Sequence, residues 1–364
     1  GDKREFASQQ QRLKSLACHC VEELGQCLIE GKTANLTKVA CRFLSLWFDF
    51  SQQCPEITAG IRKAVPHLAL APLTPFIYQL ASRLGTKDAE FQQTLDELLV
   101  RIATSNPHAL WPLLQLRNGN QVPKGMRNSA SFVPDEAKIG AAQRILDRLR
   151  KNANVRPVLE ATEVLSRFYL AVAFHEVDKS KRTAEVKTSS IEGYREAKKV
   201  IQAVPVPTAT PSSCGAPTPC IAGLCDTLSI AAQGVSAPKV LRLQDSTGIE
   251  HKQLVKGMDD LRQDAVMQQL FRLLNDVFTD SPKARQADLR LRTFQVVPLS
   301  PCAGILEWVT DTATLGELLT GNQNFSEGAH HRYRPQDWAH MACRKRMAEA
   351  REVFNTGEAR ALDV

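Results

Sequence analysis

Long apolar runs are missing from this chain of 364 residues. The most apolar stretch, Ala64 to Leu73, is short and broken by Pro66 and Pro72, far from the roughly 20 residues a bilayer demands, so no transmembrane helix is expected. Cysteine is sparse, 10 in all, which excludes a disulfide-stapled secreted miniprotein. Five of the ten fall between Cys18 and Cys54, and a reducing, intracellular compartment is the expectation. The opening GDKREFASQQ lacks the apolar core of a signal peptide. Neither charge sign dominates: 46 Lys and Arg against 39 Asp and Glu leave +7, too dilute over this length to argue for nucleic-acid binding. There is no G-x-x-x-x-G-K-[ST], and His175-Glu176 has no second histidine to complete HExxH, so P-loop NTPases and zinc proteases are not supported. What remains is ordinary for a globular protein: 43% hydrophobic and 23% charged, in a chain long enough for about two domains of roughly 150 residues.

Up to about Glu176 the apolar residues recur at helical spacing: Val39, Phe43, Leu46, Trp47 and Phe50; Leu73, Phe76, Ile77, Leu80 and Leu84; Phe91, Leu95, Leu98, Leu99 and Ile102. Two more helices are expected around Ile145 and Phe168, giving an α-solenoid or bundle. The composition then shifts. Val204 to Cys220 packs five prolines among small residues, too little apolar surface to fold, so residues 177–226 read as a flexible linker. Beyond it the period becomes that of strands, at Lys239 to Gln244, Glu250 to Val255, Leu289 to Leu299 and Ala303 to Thr310, with a hairpin turn at Asp245 to Gly248. A helix starting near Asp259 carries Val266, Leu270, Leu273, Leu274 and Val277 on one expected packing face, and a last helix runs roughly from Gln336 to Val353. The order β, β, α, β, β is that of a kinase small lobe, so the fold class is α+β: a helical solenoid or bundle, then a small sheet with one helix.

The chemistry concentrates in KGMDDLRQDAVMQQLF, Lys256 to Phe271: a lysine at a strand end, a glycine turn, then a helix opening with aspartates. A lysine there suits a polyphosphate as a point charge, and nearby carboxylates can hold its ammonium. Asp260 and Asp264, at i and i+4, share a helix face in this reading, so that at least one looks back at Lys256. Spacing alone leaves open a solvated lysine beside N-capping aspartates. No metal site is assigned: Cys18, Cys20 and Cys27 splay to different sides of a helix, and His330, His331, His340 and Cys343 have only a loosely zinc-like spacing. The runs KSKR and RKR read as solvated faces.

That string resembles the small-lobe motif of the phosphatidylinositol 3-kinase-related protein kinases, and its AVMQQ continuation is most similar to the ATM branch. VPLSPCAGILEWVTDTATLGELL resembles that branch's hinge, EGAHHRYRPQDW the loop and helix that follow, and CRFLSLWFDFS with TPFIYQLASRLGTK the last helices of the family's FAT domain. The resemblance divides the chain into residues 1–176, the end of a FAT-like domain; 177–226, the linker; 227–326, the kinase small lobe with hinge; and 327–364, the hinge-following loop and helix. It implies that the loop around Gln233, Gly234, Val235, Ser236 and Pro238 covers the phosphates of ATP. It gives Lys256 and Asp264 catalytic roles, with Asp259 also lining the pocket. Leu306, Glu307, Trp308 and Val309 become the adenine hinge, where the Glu307 carbonyl and Val309 amide pair with the base edge and Trp308 stacks on it. Phe294 stands where the family usually has tyrosine, so the ring contact is kept and the hydroxyl lost.

The family's DRH-x-x-N loop and its metal-binding Asp-Leu/Phe-Gly occur nowhere in the sequence. The base and the ligands for Mg2+ or Mn2+ are therefore expected in a large lobe outside this chain, and the chain alone is expected to be inactive. The resemblance further implies an ATP-dependent serine/threonine kinase of Ser/Thr-Gln sites, histones among them, in DNA-damage checkpoint signalling and telomere maintenance. It implies a nuclear homodimer that meets a DNA-break sensor complex, with no membrane partner. Two other readings stand beside it: a phosphoinositide lipid kinase, because DDLRQD is shared with those enzymes, and a non-catalytic scaffold.

Overall fold

The computed structural model describes residues 2–32, 35–123, 133–176, 185–209, 218–231, 237–321 and 328–355. The chain divides into two compact units, residues 1–308 and 309–364.

In the first unit the helical stripes become packed faces. α1 (Asp2–Glu30), α2 (Leu36–Phe50), α3 (Pro55–Ala64), α4 (Ile77–Ser82), α5 (Ala89–Ser105), α6 (Leu110–Arg117), α7 (Glu136–Arg150) and α8 (Arg156–Phe174) follow one another. Three of the starts have a clear local cause. Pro55 fits the first turn of α3, where its missing N–H costs nothing. The Asp88 carboxylate accepts the Glu90 and Phe91 N–H groups at the head of α5, and Asp135 caps α7 through Lys138 N–H. Phe43, Trp47, Leu80, Leu95, Leu98, Leu99, Ile102 and Ile145 are fully buried in one cluster, each such side chain contributing roughly 1.5–3 kcal/mol by leaving water. Trp47 meets Phe91 at 4.7 Å between ring centroids, and its indole N–H donates to Thr58 Oγ1 at 3.2 Å, so burial leaves no donor unpaired.

The strands β1 (Val186–Lys187), β2 (Ile221–Leu224), β3 (Thr227–Ile230), β4 (Lys239–Asp245), β5 (Glu250–Gly257), β6 (Val296–Ser300) and β7 (Ala303–Glu307) form an antiparallel sheet in the order β1-β3-β4-β5-β7-β6. β2 pairs with the Leu243–Asp245 end of β4 and β3 with the Lys239–Val240 end, so the two share one edge of β4. The hairpin turn forms where the sequence places it. Asp245 carboxylate oxygens accept from the Thr247 N–H, the Thr247 hydroxyl, the Ile249 N–H and His251 Nε2, and Gly248 adopts φ 89°. One sheet face packs on α8: Phe168, Tyr169, Val172, Leu241, Leu243, Val255 and Ile305 form a second core. The other face carries α10 (Arg262–Asp280) through Leu261, Ala265, Val296 and Leu306.

Three expectations are corrected. The stretch expected to be a flexible linker carries, among its described residues, β1, α9 (Tyr194–Val200) and β2, and buries Ile191, Tyr194, Ile201, Val204, Val206 and Ile221 in the second core. Its few apolar side chains suffice because they add to a core already built by α8 and the sheet; residues 177–184 and 210–217 lie outside the described residues. On α10, Val266, Leu270 and Val277 are exposed, whereas Gln268 and Gln269 are buried because their amides have partners: Gln268 Oε1 accepts the Phe294 N–H at 3.0 Å and Gln269 Oε1 accepts from Gln79 Nε2 at 2.5 Å. The strand expected from Leu289 begins only at Val296. The Asn275 side chain takes both the N–H and the carbonyl of Leu291, at 2.8 Å each, which removes them from any ladder.

In the second unit α11 (Leu315–Thr320) opens with a capping box of Thr314 and Glu317. α12 (Ala329–Tyr333) and α13 (His340–Asn355) follow, the last helix starting four residues later than expected. No helix among the described residues is long and apolar enough to cross a membrane.

Candidate nucleotide site

Alternation on β5 sorts its side chains. Gln253, Val255 and Gly257 face the α8 core and are buried, while Lys252, Leu254 and Lys256 stand on the opposite, more open face. The buried side is tightly fitted: Tyr169 Oη donates to Gln253 Oε1 at 2.6 Å, and Gln253 Nε2 donates to Thr208 Oγ1 at 2.9 Å. At the end of α8 the Ala173 carbonyl accepts from Lys239 Nζ at 3.0 Å, a cation on the negative end of a helix. A Cβ on Gly257 would lie 2.3 Å from that same oxygen. Glycine there lets the end of α8 reach the strand one residue past Lys256.

On the open face Lys256 Nζ lies 3.1 Å from Asp259 Oδ2, with the lysine side chain 26% and the aspartate 41% exposed. Met258, at φ 61°, reverses the chain between them, and the Asp259 N–H is held by the Cys302 carbonyl at 3.1 Å. Lys256 pairs across the ladder with Gly304, where a Cβ would meet Leu261 Cδ1 at 2.7 Å. Asp260 does not serve the lysine. It precedes α10 and grips Arg262 at 2.8 and 2.7 Å, a bond that holds its carboxyl below the usual carboxylate range. The expected shared helix face of Asp260 and Asp264 therefore does not form. Asp264 sits on the first turn of α10, exposed, with no ion pair to Lys256.

Leu254 and Leu306 are ladder partners and pack with Phe294, Val296, Leu261 and Ala265. The Phe294 carbonyl accepts from the Arg272 guanidinium at 3.1 Å. At the end of β7 the Glu307 N–H donates to the Gln295 carbonyl at 2.9 Å, and Glu307 Oε2 accepts the Gln295 N–H at 2.8 Å. Trp308 is half-buried, its N–H bonded to the Lys252 carbonyl at 3.0 Å and its ring 4.2 Å below the Lys252 ammonium. Val309 opens the second unit, where its carbonyl accepts from Thr312 Oγ1 at 3.3 Å. Gln233, Gly234, Val235 and Ser236 lie outside the described residues; Pro238, beside them, is buried, and its carbonyl accepts the Ala231 N–H at 2.8 Å.

The structure thus brings Lys256 to Asp259, and Leu306 to Phe294, on one side of the sheet. Lys252 was not singled out from the sequence, although the alternation that places Lys256 also places Lys252 on its face; Gly257, read there as a turn, is instead the last residue of β5, and the chain reverses at Met258. A cation, an apolar floor and a flat ring are the three parts that a nucleoside polyphosphate calls for.

A family model of phosphatidylinositol 3- and 4-kinases matches residues 250–360. Over 345 residues the chain is 33% identical to the serine/threonine-protein kinase ATM of Arabidopsis thaliana, a match covering 91% of this chain and 9% of that protein. It is 32% identical over 359 residues to the serine-protein kinase ATM of Sus scrofa, covering 93% of this chain and 11% of the relative. Among solved structures, the FAT and kinase domain of CtTel1 superimposes with a TM-score of 0.77 at 27% identity, over 96% of this chain and 24% of that one. The complete CtTel1 dimer with C2 symmetry gives the same score and identity, over 13% of its chain. The chain therefore spans only about a tenth of the length of the curated relatives it matches. With its helices continuing into a small lobe as in those neighbours, this chain belongs to the ATM family of phosphatidylinositol 3-kinase-related kinases.

Proposed function

We propose that this chain is the nucleotide-gripping part of an ATP-dependent serine/threonine protein kinase. In the whole protein, ATP supplies the γ-phosphoryl group for Ser/Thr-Gln sites, histones included, in DNA-damage checkpoint signalling and telomere maintenance. The observation that carries the reading is the Lys256–Asp259 pair at 3.1 Å on the open face of β5, in a chain related to proteins named serine/threonine kinases. Lys256 is the point charge for the phosphates and Asp259 holds it extended; Leu254 and Leu306 floor the adenine, and Trp308 stacks on it. Asp264, one turn along, acts on the same site from α10. Residues 1–176 are the end of the FAT-like domain, 227–326 the small lobe, and 327–364 the hinge-following segment.

Neither DRH-x-x-N nor the metal-binding Asp-Leu/Phe-Gly is in the sequence. In this reading the base and the Mg2+ or Mn2+ ligands come from elsewhere in the protein, and the 364 residues alone transfer no phosphate. A nuclear, homodimeric protein recruited by a DNA-break sensor complex completes the proposal; the dimeric CtTel1 neighbour supports the oligomeric state.

A transfer assay with labelled ATP tests it. The full-length protein is expected to label a Ser-Gln peptide, not its Ser-Ala counterpart and not phosphatidylinositol vesicles, while the 364-residue chain labels none. Label on the vesicles would make it a lipid kinase, and no transfer by the full-length protein would leave a scaffold.

A further inference from the structure

The helical part holds a pair of thiols that the nucleotide site does not use. Cys18 lies on α1, at the point where that helix first enters the core beside Ala17 and Val21. Cys54 lies outside the helices, in the tight turn that ends α2 and precedes Pro55, and is only 4% exposed. The turn presses it onto α1: the two Sγ atoms stand 3.2 Å apart, 36 residues distant in sequence. That is about 1.2 Å more than the length of a disulfide bond. The Cys54 thiol also donates to Glu56 Oε2 at 3.1 Å. Burial, then the neighbouring Cys18 thiol and the Glu56 carboxylate, push Cys54 up to about 12, which keeps it a thiol at neutral pH. Cys18 is the more accessible of the two. The charged groups at the pair are Glu56 from α3 and Lys14, one turn before Cys18 on α1, whose charge acts on the Glu56 carboxylate.

We propose that Cys18 and Cys54 are a peroxide-responsive pair that closes into a reversible disulfide joining α1 to the turn between α2 and α3. The oxidant is hydrogen peroxide. The Cys18 sulfur attacks one peroxide oxygen; an S–O bond forms as the O–O bond breaks, and the thiol proton passes to the departing hydroxide, which leaves as water. Cys18 is then a sulfenic acid. The Cys54 sulfur attacks the Cys18 sulfur; the S–S bond forms, the S–O bond breaks, and the thiol proton passes by way of the Glu56 carboxylate to the leaving hydroxide. In total two thiols lose two electrons and two protons, and one peroxide becomes two waters. In a reducing compartment such a bond is transient, and thiol exchange restores the pair. While closed, it anchors α1, whose first half carries the exposed Phe6, Leu13 and Leu16.

The 364-residue chain, fully reduced, is treated with hydrogen peroxide, quenched with an alkylating reagent and mapped by peptide mass spectrometry. The expected result is the loss of two alkylatable thiols per chain and one linked peptide pair, Cys18 with Cys54, released by dithiothreitol. The exposed Cys41 stays alkylatable. Cys54→Ser is expected to stop the reaction at a Cys18 sulfenic acid that dimedone traps, and Cys18→Ser to leave Cys54 reduced. A link through Cys20 or Cys27, oxidation of Cys41 ahead of Cys18, or sulfinic acid on Cys18 in the unsubstituted chain without a link would each overturn the proposal. The map of the unsubstituted chain decides the question even if a serine variant folds poorly.

Discussion

Lys252 holds Trp308 twice: its carbonyl accepts the Trp308 N–H at 3.0 Å, and its ammonium stands 4.2 Å from the indole centroid. A cation over a half-exposed ring contributes about 0.5–1 kcal/mol. The ring is therefore oriented by one strand residue rather than packed in from all sides. On the proposed function, Trp308→Ala in the full-length protein is expected to raise the KM for ATP with little loss of thermal stability, since a fully buried tryptophan would cost roughly 3–5 kcal/mol on truncation. One melt and one ATP titration distinguish the two, and a large melting shift with unaltered KM removes Trp308 from the site. Lys252→Met should move KM in the same direction by less.

The lysine itself makes a sharper test. Its partner is Asp259 at 3.1 Å, whereas Asp264 is exposed on the next helix. Lys256→Arg is expected to abolish transfer with the melt unchanged, because a planar guanidinium does not reproduce the ammonium's point-charge geometry. If Asp259 orients Lys256, Asp259→Asn lowers kcat/KM and Asp264→Asn affects it through another contact or hardly at all. A loss confined to Asp264→Asn would reassign the orienting carboxylate.

Gly257 gives a prediction about the fold. Any Cβ there falls 2.3 Å from the Ala173 carbonyl oxygen, a backbone atom that cannot swing aside. Gly257→Ala must push β5 and the end of α8 apart, at a cost of roughly 1–3 kcal/mol. Gly223→Ala on β2, where nothing lies within 4 Å, is the control. Thermal melting of the two variants should differ by several degrees, and equal melts would mean that the strand and helix yield freely.

What could be read in advance follows from the range of each interaction. The turn at Asp245–Gly248 and the alternation of β5 are local, so hydrogen bonding within a few residues and period-two patterning reveal them. The sides on which Val266 and Leu270 end up are not local. Gln268 and Gln269 take the buried positions only because the Phe294 N–H and Gln79, distant in sequence, satisfy their amides. The same holds for Val204 and Val206, too few to fold alone but buried against a core built by other elements. Within the KGMDDLRQD string, Lys256 meets the Asp259 carboxylate three residues on, a contact short enough in range for the sequence to suggest it. Helical periodicity misplaced Asp260, whose bidentate bond to Arg262 forms before the helix begins.

A last prediction concerns acid. His108 lies at the turn into α6, with its Nε2 shielded from water and bonded to no partner among the described residues. Burial disfavours the imidazolium and lowers the folded-state pKa to about 4, against an ordinary value near 6.5. Between these values the unfolded chain binds a proton that the folded chain does not, so stability must fall as pH drops through the window and level off below it. At one pKa unit per 1.36 kcal/mol the loss is at most roughly 3 kcal/mol, and less to the extent that the half-buried ring finds water. Melting the 364-residue chain from pH 7 to pH 4 should show this decline, superimposed on the effect of the carboxylates that protonate near its lower end. His108→Gln, which cannot charge, should flatten the part between pH 6.5 and pH 5, where ordinary carboxylates remain ionised. An unchanged slope in that interval would mean that His108 is protonated in the folded state and that its ring reaches solvent.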